Sequence, residues 1–260
     1  MIEVRNVKKS FGNKEVLHSV SAIMEPGKTN LIIGTSGSGK TVLMKIMIGL
    51  MQVDSGAVIY EGKDITKMGE KELKEVRKQI GMLFQGGALF DSKTVENNVM
   101  FPLDMFTHMS HADKLKRVNE VLDRVNLKDT NDKYPAEISG GMKKRVALAR
   151  AIVQNPRYLF CDEPNSGLDP QTSLVIDKLV KEITKEYNIT TIINTHDMNT
   201  VMESGDHIVY LYQGNKQWEG SNKDIIFSKD ARLNSFIFAS EFLTKAKEMS
   251  MMEAQEKMKG

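Results

Sequence analysis

The sequence predicts an α/β core with a helical insertion, and three observations predict it. Asn30-Leu31-Ile32-Ile33 reads as a buried strand entering the glycine-rich stretch Gly34-Thr35-Ser36-Gly37-Ser38-Gly39-Lys40-Thr41. Val42, Leu43, Ile46, Met47 and Leu50 then recur at helical spacing and mark a core-facing helix leaving that loop. The strand-and-helix rhythm lapses at about 86–155, where the pattern is helical, and returns at Tyr158. An insertion in one α/β domain accounts for this better than two tandem domains.

Each element follows in order. Residues 1–28 read as short strands, with turns at Phe11-Gly12-Asn13 and Glu25-Pro26-Gly27. The helix after the loop starts near Ser38 and runs to about Met51. Residues 55–62 look like a strand with a turn at each end. Residues 71–78 are charged and helical, and 80–84 form a short apolar strand ending at Gln85. Within the insertion, Leu115, Val118, Val121, Leu122 and Val125 make a stripe on a helix over 112–127, and 140–153 is a second helix. Strands at 158–161, 190–194 and His207–Tyr212 restore the β/α rhythm. The charged, Met-rich stretch 241–260 reads as a frayed helix or a tail.

Composition excludes several classes. The chain has 260 residues, 40% hydrophobic and 27% charged, as in an ordinary soluble globular protein. Lys and Arg total 36 against 34 Asp and Glu, so charge offers no case for nucleic acid as the partner. No apolar run reaches the roughly 18 residues of a transmembrane helix, and the alternating Met1-Ile2-Glu3-Val4-Arg5-Asn6-Val7 lacks a signal-peptide core. A membrane role would therefore run through a partner. Cys161 is the only cysteine; it sits in an apolar strand, as a small buried thiol in a reducing cytoplasm would. His108 and His111 match no metal-ligand spacing, and with His18 and His207 they read as solvent-facing.

The stretch from Gly34 to Thr41 fits the pattern G-x-x-x-x-G-K-[ST] at every fixed position. Glycines let the backbone turn tightly, so that successive N–H groups converge on a phosphate. The following helix adds the positive end of its dipole. Lys40 can reach the β/γ-phosphates, and the Thr41 hydroxyl can join Mg²⁺. A plain strand-to-helix loop is the bland alternative, and the flanking strand and helix weaken it.

Two further motifs carry chemistry. Tyr158-Leu159-Phe160-Cys161 is an apolar strand ending in Asp162-Glu163. At the C-terminal end of a parallel strand, acids stand in the crevice where α/β ligands bind. Asp162 can hold Mg²⁺ through its water shell, and Glu163 can orient or deprotonate an attacking water. Alone, such a pair is a solvated turn; downstream of a full phosphate loop it completes a nucleotide site. Ser139 can cap a helix whose first residues, Gly140 and Gly141, leave N–H groups open to an anion. A capped helix with a basic outer face explains that segment equally well. Two phosphate-binding ends in one chain invite a dimer that traps ATP between them.

The ordered set resembles the nucleotide-binding subunit of an ABC transporter. Residues 34–41 resemble Walker A, and 158–162 resemble Walker B, with Glu163 as catalytic carboxylate. Ser139-Gly140-Gly141 resembles the signature loop, Gln85 the Q-loop glutamine, and Ser166-Gly167-Leu168-Asp169 the D-loop. His196, in Asn194-Thr195-His196-Asp197, resembles the switch histidine, and Phe11 the aromatic beneath adenine. The resemblance covers about residues 1–240. It implies a P-loop NTPase core with an antiparallel β subdomain and an inserted helical subdomain over about 86–155, leaving 241–260 as a C-terminal tail. It also implies site roles. Phe11, Gly34, Ser36, Gly37, Ser38, Gly39, Lys40 and Thr41 would bind ATP; Thr41, Gln85 and Asp162 would hold Mg²⁺; Glu163, His196 and Gln85 would be catalytic. Ser139, Gly140 and Gly141 would contact the ATP of a second copy in a head-to-tail dimer, with Asp169 in the D-loop. The implied setting is the cytoplasmic face of the inner membrane, peripheral, on an integral membrane permease.

Three segments narrow the resemblance. Met142 and Lys143-Lys144-Arg145 follow the signature, where many importers have Gln or Glu after it. Residues 83–103 and the run 36–50 complete the set. Together they look like the ATPases of MCE-type lipid transporters of the Mla kind. That likeness implies phospholipid as cargo, a periplasmic MCE-domain protein and, in some members, a small STAS-domain protein. Asn165 departs from the more usual Thr, and the tail has no obvious counterpart. Met100, Met105 and Met109 fall where the resemblance places the permease groove; adaptable thioethers suit docking, and core filling is the plainer role. The near alternative is the ATPase of an importer for amino acids or another small solute. The distant one is a soluble, non-transport ABC ATPase, which would favour tandem cassettes, basic linkers or zinc cysteines. A switch without turnover is disfavoured by Glu163.

Overall fold

Two sheets organise the chain, and a computed structural model describes them within residues 1–239 and 241–257. β1 (Ile2–Phe11) and β2 (Lys14–Met24) form a long hairpin. β1 alternates inward Ile2 and Val4 with outward Glu3 and Arg5, the pattern of a sheet with one buried face. Its register shifts between Val4 and Val7, where Asn6 takes φ +46°; this bulge turns Val7 back to the core after an odd step. The two strands have ten and eleven residues, longer than the short strands expected. β4 (Ser55–Tyr60) and β5 (Lys63–Asp64) complete an antiparallel sheet in the order β2-β1-β4-β5.

The second sheet contains β3 (Thr29–Ile33), β6 (Ile80–Leu83), β7 (Tyr158–Asp162), β8 (Thr190–Thr195), β9 (His207–Tyr212) and β10 (Asn215–Gly220), in the order β10-β9-β3-β8-β7-β6. All pairs are parallel except β10 with β9. β3 and β8 are buried along their whole length, which is why they read as unbroken runs rather than alternating ones. Ile33 pairs with Thr195, and Asp162 with Asn194, so the chain leaves β3, β7 and β8 at one edge of the sheet.

Helices cover both faces. α1 (Lys40–Met47) follows the glycine loop, beginning two residues after the expected start and ending where Gly49 takes φ +69°. α2 (Glu70–Arg77) precedes β6. α3 (Val95–Phe106), α4 (His111–Arg124) and α5 (Gly140–Ile152) occupy the stretch read as helical and share a core of Val99, Leu103, Val118, Val121, Leu122 and Val146. α6 (Pro170–Glu186), α7 (Met198–Ser204) and α8 (Ala231–Ile237) lie beyond what sequence periodicity marked, as does β10. α9 (Glu241–Lys257) is the helix anticipated in the tail; residue 240 and the tail's last three residues lie outside the described residues. Thr94, Ser110, Ser139, Asp169, Asp197 and Asp230 each cap a helix by accepting a backbone N–H with the side chain.

The parallel sheet separates two cores. Leu31, Ile33, Leu159 and Cys161 face one; Ile32, Phe160, Ile192 and Val209 face the other. Burial raises the Cys161 thiol far above its ordinary value, so it packs as a small hydrophobe. His207 corrects the solvent-facing expectation. Its ring is only 12% exposed and is held between Asn30 Oδ1 (3.1 Å) and Glu219 Oε1 (2.9 Å). Asn30 itself is buried in mid-sheet, and its amide donates to the carbonyls of Glu25, Lys28 and Thr191. Phe160 is fully enclosed. Phe160→Ala should therefore cost about 3–5 kcal/mol, read as a lower urea midpoint at unchanged slope; a loss below about 1 kcal/mol would mean that the site collapses around the cavity.

Candidate active site

A cleft of about 1070 Å³ opens where the parallel strands end. It is lined by Phe11, by Thr35 to Val42 except Ser38, and by Gln85, Asp162, Glu163 and His196. Its floor is the glycine loop. At Gly34 (φ +151°) a Cβ would stand 2.3 Å from the Leu211 carbonyl oxygen and 2.7 Å from Ser38 Oγ. At Gly39 (φ +104°) it would meet Leu17 Cδ2 at 2.7 Å. The loop thus passes closer to β2 and β9 than any side chain allows. Gly34 and Ser38 lie behind the lining, and Ser38 Oγ is buried with no hydrogen-bond partner among the described residues. Ser36, Gly37, Gly39, Lys40 and Thr41 face the cleft.

Lys40 opens α1 and is almost wholly buried. Its ammonium donates to the carbonyls of Gly34 (2.8 Å) and Thr35 (3.2 Å). Burial lowers its pKa, and the nearby Glu163 and Asp162 pull it back up. A buried cation with two acids across the cleft suits an anion that carries its own metal.

Asp162 ends β7, where its Oδ1 accepts from Asn194 Nδ2 (3.2 Å). Glu163 takes the left-handed φ of +49°, a strained conformation for a side chain of this size. Its N–H donates to the Asn194 carbonyl oxygen (2.9 Å), and its Oε2 lies 2.8 Å from His196 Nδ1. The carboxylate side chain is 16% exposed and the histidine 67%. Two residues drawn from separate motifs therefore meet in one close polar contact at the cleft wall. Gln85 joins them through Ser166, to whose Oγ its amide donates (3.3 Å).

The donor set also fits Mg²⁺. Among the described residues no group of three or more His, Cys, Asp or Glu is arranged around a metal. Mg²⁺ asks for less: one or two carboxylates, with water and substrate phosphates filling its octahedron. The Thr41 hydroxyl, the Gln85 amide oxygen and the Asp162 carboxylate supply hard oxygens on one cleft.

The sequence missed several participants. Lys144 is buried rather than on a basic outer face, and its ammonium donates to the Gln85 carbonyl. Arg150 donates to the carbonyls of Ala88 and Gly87, both at 2.7 Å. α5 thus grips the 85–88 segment by its backbone, which no side-chain pattern announces. His18 lines the cleft beside Glu15 (3.1 Å) and is half-buried, against the solvent-facing expectation. Gln213, Gly214 and Phe236 reach the cleft from the far C-terminal region. Phe11 lines it as expected, its ring exposed and 5.6 Å from the Lys9 ammonium.

Ser139, Gly140 and Gly141 stand apart from this cleft. Ser139 Oγ accepts from Met142 N–H (3.2 Å) at the start of α5, and a Cβ on Gly140 would touch only Leu168, at 3.7 Å. Asp169 caps α6, accepting from Thr172 N–H (3.0 Å). The structure brings together the glycine loop, Gln85, both acids and His196, and leaves the Ser-Gly-Gly loop outside.

A family model described as "ABC transporter" matches residues 17–166. The methionine import ATP-binding protein MetN of Carboxydothermus hydrogenoformans is 41% identical over 231 residues, covering 88% of this chain and 68% of that protein. The probable ribonucleotide transport ATP-binding protein mkl of Mycobacterium leprae is 36% identical over 236 residues, covering 91% and 68%. Among solved structures, a dimeric ATP-binding cassette in a post-hydrolysis state with ADP and Pi superimposes with a TM-score of 0.77 at 31% identity, covering 85% of this chain and 99% of that one.

The glycine loop supplies a direct test. Gly34→Ala should weaken ATP binding by about tenfold or more, since the loop must shift off Leu211 and Ser38. Equilibrium titration with a fluorescent ATP analogue checks this, and unchanged affinity would show that the loop yields freely.

Proposed function

Because the chain belongs to the ABC transporter family and is an ATPase that uses ATP with Mg²⁺, we propose that it is the motor subunit of a membrane transporter, working as a head-to-tail dimer beneath a separate permease. The split site carries this reading. One cleft gathers the loop, both acids and His196, while the Ser-Gly-Gly loop at the start of α5 is not part of its lining. A second copy, turned about a two-fold axis, would present its own Ser139, Gly140 and Gly141 to the phosphates, with Asp169 beside that interface. The dimeric cassette structures similar to this chain support that arrangement.

The roles follow from chemistry. Phe11 stacks on adenine. The backbone of the glycine loop and Lys40 hold the phosphates. Thr41, Gln85 and Asp162 would hold Mg²⁺, which neutralises phosphate charge when bound. Glu163 orients the attacking water and accepts its proton, and His196 keeps the carboxylate aimed from the γ-phosphate side.

Docking is proposed at the groove between β6 and α3. Phe84, Phe90, Phe101 and Phe106 line it, and the Phe90 and Phe101 rings meet edge to face at 4.8 Å. Met105 and Met109 are exposed beside it, whereas Met100 is buried in the core. A permease on the inner membrane would hold the chain peripherally on the cytoplasmic face. For the cargo, the named relatives favour import of a small solute such as an amino acid. Phospholipid movement with an MCE-domain protein, and a STAS-domain protein in some assemblies, is the second reading; Met142 and the 83–103 segment favour it.

Two outcomes are expected. Lys40→Ala should lose ATP binding. Glu163→Gln should bind normally, lose turnover by about a hundredfold or more, and elute as a dimer on gel filtration with ATP and Mg²⁺. Normal turnover in Glu163→Gln would remove that residue from the mechanism. For docking, acidic substitutions at Phe101, Met105 and Met109 should release the chain from membranes with ATP binding intact. Mass spectrometry of the wild-type complex then reads the cargo class: a solute-binding protein marks import, and an MCE-domain protein with phospholipid marks the lipid reading.

A further inference from the structure

Behind the Glu163–His196 pair lies a buried polar triad of Asn165, Asp177 and Thr200, which the roles above do not use. Asn165 sits in the turn after Glu163, Asp177 in the middle of α6, and Thr200 in the first turn of α7, four residues past His196. Asp177 is 3% exposed and Thr200 is fully buried. Asn165 Nδ2 donates to Asp177 Oδ1 (2.8 Å) and to Thr200 Oγ1 (3.0 Å). Thr200 Oγ1 donates to Asp177 Oδ2 (2.9 Å).

We propose that Asp177 is a positioning residue for ATP hydrolysis, clamping the turn that carries Glu163 to the helix that follows His196 so that the two side chains keep their register at the γ-phosphate.

Three observations carry this. Both carboxylate oxygens accept from side chains, of Asn165 in the turn after Glu163 and of Thr200 in the helix after His196, so the triad ties those two segments to each other. A buried carboxylate is a poor way to gain stability, since well-packed apolar residues do as well or better. Its presence in a core position therefore points to geometry. Glu163 also holds a strained left-handed φ, which persists only where its surroundings over-determine it. The residue at 165 matters in the same way. An Asn amide has two hydrogens and reaches both Asp177 and Thr200, whereas a Thr there has one to give. Burial pushes the Asp177 carboxyl up to about 6, Asn165 and Thr200 pull it down, and the negative charges of Asp197 and Glu203 push it up again. In the triad both of its oxygens accept, from Asn165 Nδ2 and from Thr200 Oγ1.

The inference rests on Glu163 and His196 acting in hydrolysis, so Glu163→Gln is measured beside it. Steady-state ATPase assays on the full chain should show kcat falling about tenfold or more in Asp177→Asn, with KM for ATP within about twofold, as misplacement of a reacting group predicts. The exchanged pair Asn165→Asp with Asp177→Asn restores an amide facing a carboxylate and should recover most of the lost kcat. A merely structural role would lower the thermal midpoint, leave kcat per folded subunit unchanged and show no such recovery. If the exchanged pair fails to fold, Thr200→Val decides. Its kcat loss should be non-additive with that of Asp177→Asn, and simple additivity would overturn the clamp. Wild-type kcat in Asp177→Asn, with Glu163→Gln inert, would refute the clamp alone. Turnover in Glu163→Gln would refute the site reading beneath it.

Discussion

A parallel ladder delivers the carboxyl ends of its strands to one edge, and the register of β3, β8 and β7 is the constraint on which the site depends. Ile33 against Thr195 and Asp162 against Asn194 set the glycine loop, the His196 loop and the two acids side by side. Each strand is buried on both faces, so a slip by one residue would exchange the faces of two cores at once. The hydrophobic core therefore fixes where the loops and acids of the cleft stand relative to one another.

Charge is arranged around that edge with little slack. Lys40 is a buried cation satisfied by loop carbonyls and attracted by Asp162 and Glu163. A polyphosphate with Mg²⁺ carries both signs, and under the proposed roles its oxygens would match the lysine and its metal the acids. Glu163 stands at the join, strained in its backbone, paired with His196 and backed by the triad centred on Asp177. Such strain is affordable only because the sheet, α6 and α7 hold it from three sides.

Beyond the apolar core that α3, α4 and α5 share with the sheet, α5 meets this site through backbone grips. Lys144 and Arg150 hold the carbonyls of Gln85, Gly87 and Ala88, while the Gln85 side chain reaches Ser166. Phe84 and Phe90 flank the same segment and line the groove proposed for docking. The groove and the Gln85 side chain that reaches the cleft thus lie on one seven-residue stretch of chain, 84–90.

Local signals made much of this molecule legible. The glycine loop between a strand and a helix, the apolar strand ending in two acids and the capped Ser-Gly-Gly helix are each contained in a few consecutive residues. Their backbone chemistry is decided by glycine, by capping and by apolar runs. The stretch between 86 and 155 read as helical for the same reason. Of what periodicity did not mark, α7, α8 and β10 are only six or seven residues long, too short for a stripe, whereas α6 carries a regular one at Ile176, Leu179, Val180 and Ile183 and was legible. Other features exist only once distant segments meet. His207 is mostly covered because Asn30 and Glu219 come to it across the sheet, and His18 borders the cleft because the β1–β2 hairpin folds over the glycine loop. The Glu163–His196 pair, the grip of Lys144 on Gln85 and the Asp177 triad join residues 12 to 59 positions apart or held on separate loops. Sequence by itself determined which groups can bind phosphate, hold Mg²⁺ and activate water, because those capacities belong to short motifs. Only the tertiary structure decided which of them share a cleft and which lie outside it, because that depends on strand register and long-range packing.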